Sequence, residues 1–396
     1  MVSTKAEREL DIVVYGASGF TGRLVCEYFN RQYGADGEIA WAMAGRDLDR
    51  LDSLRTKMGI SDSIPLLKAD ADNPASLAAM AARTRVVLTT VGPYQLYGSA
   101  LVAACAEAGT DYVDLCGEPN WMYDMIQAHD ATAKATGARI LFSCGFDSIP
   151  FELGVYFLEQ QALERFGAPL PRVKGRVRAM KGGFSGGTLA SLKATLAATA
   201  AKPELRQLLS NPFALAAGFS GPEQPAGMTP VHEEDLGSWS APFVMAPINT
   251  KNVHRSNLLM GHPYGTDFIY DEMVFTGPGA QGEAAAKAVA ADNSMAQSTL
   301  QPGDGPSQEE RENGLFDVLF VGSNTKGEHL MASVKGNMDP GYGSTSKMIA
   351  ETAVCLVKHP AAAAGGIWTP GAALQGLLID RLAQNAGMTF ALANGA

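Results

Sequence analysis

The chain has 396 residues, 46% of them hydrophobic, and a formal net charge of −10 at pH 7, so it is long enough for two domains with sizeable cores and too acidic for a phosphate-backbone partner, which excludes nucleic acid. Its five scattered cysteines, Cys26, Cys105, Cys116, Cys144 and Cys355, form no C-x-x-C pair, which argues against a redox couple or zinc knuckle and fits a reducing cytoplasm. The polar first ten residues lack the apolar core of a secretory signal and nowhere do about 18 apolar residues run together, so a cytoplasmic chain without a spanning helix is expected, with peripheral contact at the inner face of the membrane left open.

From Asp11 onward, short apolar runs alternate with helical segments, the pattern of βαβ units on a parallel sheet. Strands are expected at residues 12–15, 39–44, 64–68, 86–90, 112–115 and 140–143, and helices at 24–33, 47–58, 74–82, 99–108 and 121–136, with Gly109 and Gly137 as helix stops. After residues 145–150 the texture changes to a helix at 151–166, a strand at 172–181, a Gly-rich turn and an Ala-rich helix. Residues 211–257, dense in Pro, Gly and Ser, are expected as long loops over a sheet. Strands follow at 267–276, 315–323 and 328–335, an exposed acidic loop at 301–313, and amphipathic helices at 346–359 and 372–386 around a loop at 365–371. The expected fold is α/β. An N-terminal Rossmann domain over 1–150, with a doubly wound parallel sheet, receives the C-terminal helices of 345–396 on its surface. A mixed α/β domain over 151–344 serves substrate binding or dimerisation.

The segment Gly16-Ala17-Ser18-Gly19-Phe20-Thr21-Gly22 follows the first strand and opens the first helix. Gly16 permits the tight turn, Gly19 lets the backbone approach a pyrophosphate, and Gly22 allows helix and strand to pack closely. Backbone N–H groups and the positive helix end then face the anion, with the hydroxyls of Ser18 and Thr21 beside it and Phe20 within the loop. At the end of the second strand an NAD enzyme presents a carboxylate to the ribose 2′-hydroxyl. Here Ala44-Gly45-Arg46 stands in that place, and a guanidinium suits a 2′-phosphate, so the cofactor is read as NADP(H), with Arg50 one turn later as a second cation. Asp70, ending the third strand, is a candidate for the adenine amine, and Gly92-Pro93, ending the fourth, for the nicotinamide half.

These residues, together with the blocks 91–94, 112–118, 145–150, 182–188 and 339–342, resemble the saccharopine dehydrogenase-like oxidoreductases, including the bacterial trans-acting enoyl reductases, over nearly the whole chain. The resemblance implies reductase chemistry: reduction of a double bond in a polyketide-derived chain for the lipid-acting members, and an amino-acid imine for the namesakes. A non-catalytic NADPH sensor or scaffold is the third reading.

Hydride transfer belongs to the cofactor, so the chain must supply a proton donor and hold charge. Tyr94 and Tyr97 are candidate phenol donors or pocket walls, and Glu118 is a candidate acid or a helix N-terminal carboxylate. The six histidines show no i, i+4 pair, so no metal is expected. The glycines around Ser185 read as a close-approach turn with an anion site at the following helix. Arg172, Lys174, Arg176 and Arg178 fall on one strand face, read as solvated or as a landing strip for an acidic partner. The expected partner is a small-molecule or carrier-bound lipid-like substrate, with a homodimer possible.

Overall fold

In the computed structural model, which describes residues 5–301 and 303–393, the first strand β1 (Leu10–Tyr15) sends Ile12 and Val14 into one hydrophobic cluster and Val13 and Tyr15 into another. Side chains alternate along a strand, so an uninterrupted apolar run marks a strand covered on both faces. Five more parallel strands follow: β2 (Trp41–Gly45), β3 (Leu66–Lys68), β4 (Thr84–Thr89), β5 (Asp111–Val113) and β6 (Arg139–Leu141). They stand in the order β6-β5-β4-β1-β2-β3, with the reversal between β4 and β1. This is the doubly wound α/β arrangement expected from the alternation of elements. Residues 1–4 of the polar N-terminus, residue 302 of the acidic loop and residues 394–396 of the C-terminal segment lie outside the described residues.

The second sheet is mixed. It contains β7 (Arg172–Lys181), β8 (Val231–Glu233), β9 (Ser238–Pro242), β10 (Ile269–Gly277), β11 (Leu315–Ser323) and β12 (His329–Gly336); β7 and β10 are parallel and the other pairs antiparallel. One buried cluster runs from Ile12 through Phe151 to Phe320, so the two sheets share a core.

Three expectations need correction. Residues 211–257 contain β8, β9 and the helix Ala246–Leu259. That helix escapes a periodicity reading because the residues it buries are mostly polar, Asn249, Lys251, Asn252, His254 and Arg255 among them. Internal bonds make this tolerable: Asn249 donates to Glu272 at 2.8 Å, Asn252 to Ser148 at 2.9 Å, and Arg255 to the Leu215 and Ile367 carbonyls at 2.6 Å each.

The C-terminal segment divides between the sheets. The helix Thr345–Lys358 packs on the helix Phe20–Gln32 and under β4, where buried Glu351 accepts from the hydroxyls of Tyr28 at 2.6 Å and Tyr33 at 2.7 Å. The expected loop at 365–371 holds a strand, β13 (Gly366–Trp368), which extends the first sheet beside β6. The helix Pro370–Asn385 then crosses to the helix Ile149–Phe166, and β14 (Met388–Leu392) pairs with β12 in the second sheet.

The cations of this strand face are paired with carboxylates, Arg176 buried and Arg178 exposed, so they are not free for a partner. Arg172 pairs with Asp271, Lys174 with Glu233 and Asp235, Arg176 with Glu233 and Asp271, and Arg178 with Asp317. Carboxylates on neighbouring strands and the β8 turn supply the counter-charges that a single-strand pattern cannot reveal. Among the described residues no helix is long and apolar enough to cross a membrane.

Candidate active site

The phosphate loop needs glycine at its two ends. Gly16 has φ +88°, and a Cβ on Gly22 would stand 2.1 Å from the Gly16 carbonyl oxygen. The helix Phe20–Gln32 starts at Gly19 without a side-chain cap. Its first N–H groups and the hydroxyls of Ser18 and Thr21 make no side-chain hydrogen bond among the described residues, so the loop keeps donors for a pyrophosphate. Phe20 packs edge-on against Tyr342, with ring centroids 5.2 Å apart, which ties the loop to the turn after β12.

Arg46 emerges exposed from the end of β2 and has no hydrogen bond or ion pair among the described residues. Asp47, beside it, caps the next helix by accepting from the Arg50 amide at 2.9 Å, and the Arg50 side chain is exposed. Burial, then the Asp70 charge, pushes the Tyr15 hydroxyl up to about 12 against the opposing Arg46 charge, which puts Arg46 and Asp70 at one edge of the sheet. The Asp70 carboxylate accepts from the Asp72 amide at 3.2 Å within its own turn. This set fits a dinucleotide with a 2′-phosphate: bare backbone for the pyrophosphate and an unpaired guanidinium at the adenosine end.

Beyond Gly92 a cavity of about 540 Å³ opens at the carboxyl ends of the first sheet. One side is Thr21, Thr90, Gly92 and Gly117, and the other is largely apolar, with Phe184, Leu192, Phe243, Met245 and Ile248. The helix Gly186–Ala201 forms one wall and is tied to the first sheet by Gln95, which donates to Thr195 at 3.3 Å. Its N-terminus is not an open anion site, because Ser185 accepts from the Gly187 and Thr188 amides at 3.1 and 3.4 Å.

Of the candidate proton donors read from sequence, Tyr94 lines the cavity with its hydroxyl already engaged, and Tyr97 and Glu118 stand outside it. The Tyr94 hydroxyl is buried, accepts from the Leu115 amide at 3.0 Å and donates to the Thr89 carbonyl at 3.4 Å, and burial pushes it well above its ordinary value. Tyr97 is 42% exposed and does not line the cavity. Glu118 holds the short helix Tyr94–Tyr97, its two carboxylate oxygens accepting from the Tyr94 and Gln95 amides at 2.9 Å each. It precedes one helix and caps another, a contact invisible in sequence.

Two titratable side chains that sequence reasoning passed over also line the cavity. Asp147 follows β6 in a turn fixed by the Phe146 amide, which donates to Thr345 at 3.0 Å. A Cβ on Gly117 would lie 3.6 Å from Asp147 Oδ2. The carboxyl has no hydrogen-bond partner among the described residues, and burial pushes it up to about 6. Its place at a strand's carboxyl end was the available signal. Lys251, on the helix Ala246–Leu259, carried none. Tyr342 completes the wall, its hydroxyl accepting from the Ser185 amide at 2.5 Å and lying 2.8 Å from Thr188 Oγ1.

The description "Saccharopine dehydrogenase NADP binding domain" matches residues 12–141. A trans-acting enoyl reductase of Mycobacterium ulcerans is 35% identical over 410 residues, covering 96% of this chain and 97% of that one, and one of Mycobacterium tuberculosis is 37% identical over 407 residues, covering 95% and 96%. A second M. tuberculosis protein, provisionally given the same name, is 40% identical over 408 residues and 96% of each chain. Among solved structures, apo saccharopine dehydrogenase (L-Glu forming) of Saccharomyces cerevisiae superposes with a TM-score of 0.54 over 97% of this chain and 100% of that one, and at 11% identity it shows the fold alone. A Rossmann sheet with an intact phosphate loop and an adjoining cavity, in a chain alike from end to end with these relatives, belongs to the trans-acting enoyl reductase family of NADP-dependent oxidoreductases built on a saccharopine dehydrogenase NADP binding domain.

Proposed function

We propose that the chain reduces the carbon–carbon double bond of an α,β-unsaturated acyl substrate of polyketide or lipid type. The observation that carries this reading is the cavity at the strand ends, apolar on the side away from the nucleotide loop and without an arginine among its described lining residues. A saccharopine-like substrate carries several carboxylates, for which Lys251, the one Lys or Arg among the described lining residues, is too few, and a non-catalytic NADPH sensor would need no such cavity. Met180 and Val244 line the cavity yet are 47% and 59% exposed, an apolar rim through which a long or carrier-bound chain can leave. We assign nucleotide binding to residues 1–150 and substrate binding to 151–344. The five cysteines, all free and buried, support a reducing cytoplasmic setting.

NADPH, when bound, supplies the hydride. The chain's part is to place the alkene, exclude water and give a proton to the neighbouring carbon, and we assign that proton to Asp147, which has no competing partner, in place of Tyr94, Tyr97 or Glu118. Oxidation of NADPH with 2-enoyl thioesters of graded chain length is the test. Turnover rising with chain length is expected; none above background, with turnover of saccharopine instead, defeats the reading.

Arg46 is assigned to the 2′-phosphate. Arg46→Ala is expected to weaken NADPH binding by about 1.5 to 3 kcal/mol, the scale of a charge-assisted hydrogen bond, and to leave NADH nearly unchanged. Titration by nucleotide fluorescence checks it, and equal losses for both nucleotides overturn it.

A further inference from the structure

Lys251 is 3% exposed and lines the cavity, yet it has no carboxylate partner among the described residues. Its ammonium donates to two neutral acceptors, the Leu209 carbonyl at 2.7 Å and the Pro247 carbonyl at 2.9 Å. An ammonium has three N–H donors, so one is left over. Burial without a counter-charge lowers the lysine to about 8. Of the other buried cations among the described residues, Arg139 and Arg176 face carboxylates, and Arg255, which does not line the cavity, donates to two backbone carbonyls. Nearby His254 adds no charge of its own, because burial, then the Lys251 charge, holds it down at about 3, as a neutral ring. A buried cation left uncompensated at the wall of a mostly apolar cavity is costly unless something that enters the cavity completes it.

We infer that Lys251 is the oxyanion-binding group of the cavity, its remaining N–H holding the carbonyl oxygen of the acyl substrate. The inference rests on the enoyl-reduction reading. Reduction of a double bond conjugated to a carbonyl gathers negative charge on that oxygen before the neighbouring carbon takes its proton from Asp147. A neutral carbonyl compensates the lysine only in part, and the charged oxygen compensates it fully. The interaction therefore strengthens as the reaction proceeds, which is the condition for lowering a barrier rather than merely tightening binding. The helix Ala246–Leu259 and the two backbone acceptors hold the ammonium in place beforehand.

The test uses the full chain with two probes that share an apolar tail, dodecanoate with a charged oxygen pair and 1-dodecanol with a neutral hydroxyl. The wild type is expected to prefer dodecanoate. Lys251→Met is expected to weaken dodecanoate about tenfold or more, to leave dodecanol within about twofold, and to lower kcat on 2-enoyl thioesters about a hundredfold. NADPH binding and thermal unfolding establish that the variant is folded. If Lys251→Met does not fold, Lys251→Gln, which can still donate to a backbone carbonyl without carrying charge, takes its place with the same expectation for dodecanoate. A wild type without preference for dodecanoate, or a folded variant that keeps it, overturns the assignment. Failure of the wild type to reduce any enoyl thioester would sink the enoyl-reduction reading instead, and the two-probe comparison would still report on the lysine.

Discussion

Replacing Asp147 by Asn is expected to lower turnover about 10²- to 10⁴-fold, the usual contribution of a positioned proton donor, while NADPH affinity stays within about twofold. Asn keeps the shape and the amide dipole but cannot surrender a proton at neutral pH. The pH profile gives the sharper check. Burial pushes the Asp147 carboxyl up to about 6, and a donor must hold its proton at the start of the cycle. The wild-type rate is therefore expected to be full below about pH 6 and to fall about tenfold for each further pH unit. The residual rate of Asp147→Asn lacks this limb. An Asn variant keeping a third or more of wild-type turnover, or the same falling limb, rules Asp147 out and returns attention to Tyr342, a hydroxyl-bearing wall residue tied to the glycine loop through Phe20.

The second large effect is on stability. Arg176 is buried at the centre of the second sheet, 2.5 Å from Glu233 through Nε and 2.8 Å from Asp271 through Nη2. Arg176→Ala is expected to cost about 3 to 5 kcal/mol in urea unfolding, because it removes the buried cation from two buried carboxylates and leaves them only the partly exposed Arg172 and Lys174. Adding Glu233→Gln to that variant should recover part of the loss. Burial acts to raise Glu233, but the hydrogen bond and charge of Arg176 outweigh it and hold the carboxyl at about 2, below its ordinary 4.5. A depressed carboxyl contributes stability that is complete above about pH 4.5 and disappears as pH falls through about 2. The wild type should lose this contribution between those values, and Arg176→Ala should show a smaller acid-sensitive component, its remainder coming from Ser240 and Lys174. Matching acid profiles for the two proteins would contradict the pairing.

The local rules worked where structure is local. The apolar runs of β1, β4 and β11 and the strand from Arg172 to Lys181 could be read from alternation and turn residues. The helix Ala246–Leu259 could not, because its buried face is polar and its partners, Glu272, Ser148 and the Leu215 carbonyl, come from distant parts of the chain. The four cations of β7 failed for the same reason, since their carboxylates lie across the sheet. Among the candidate site residues, the glycine loop and Arg46 could be singled out from sequence and the proposed proton donor could not. Phosphate recognition uses backbone conformation at consecutive positions, which glycine spacing records. A proton donor is defined by burial and by the absence of other partners, and those are properties of the folded neighbourhood.

The sequence by itself determined that this chain folds around a doubly wound sheet, that its first turn carries the glycine spacing that suits a pyrophosphate, and that the next strand ends in arginine where an NAD enzyme presents a carboxylate. These are short-range facts carried by adjacent residues. Only the tertiary structure decided that Glu118 holds the turn at Tyr94, that Asp147 faces the cavity without a partner, and that Lys251 is buried there with no counter-charge. Each of those depends on which groups from remote segments come within a few ångströms, because hydrogen bonding and desolvation act through space and not along the chain.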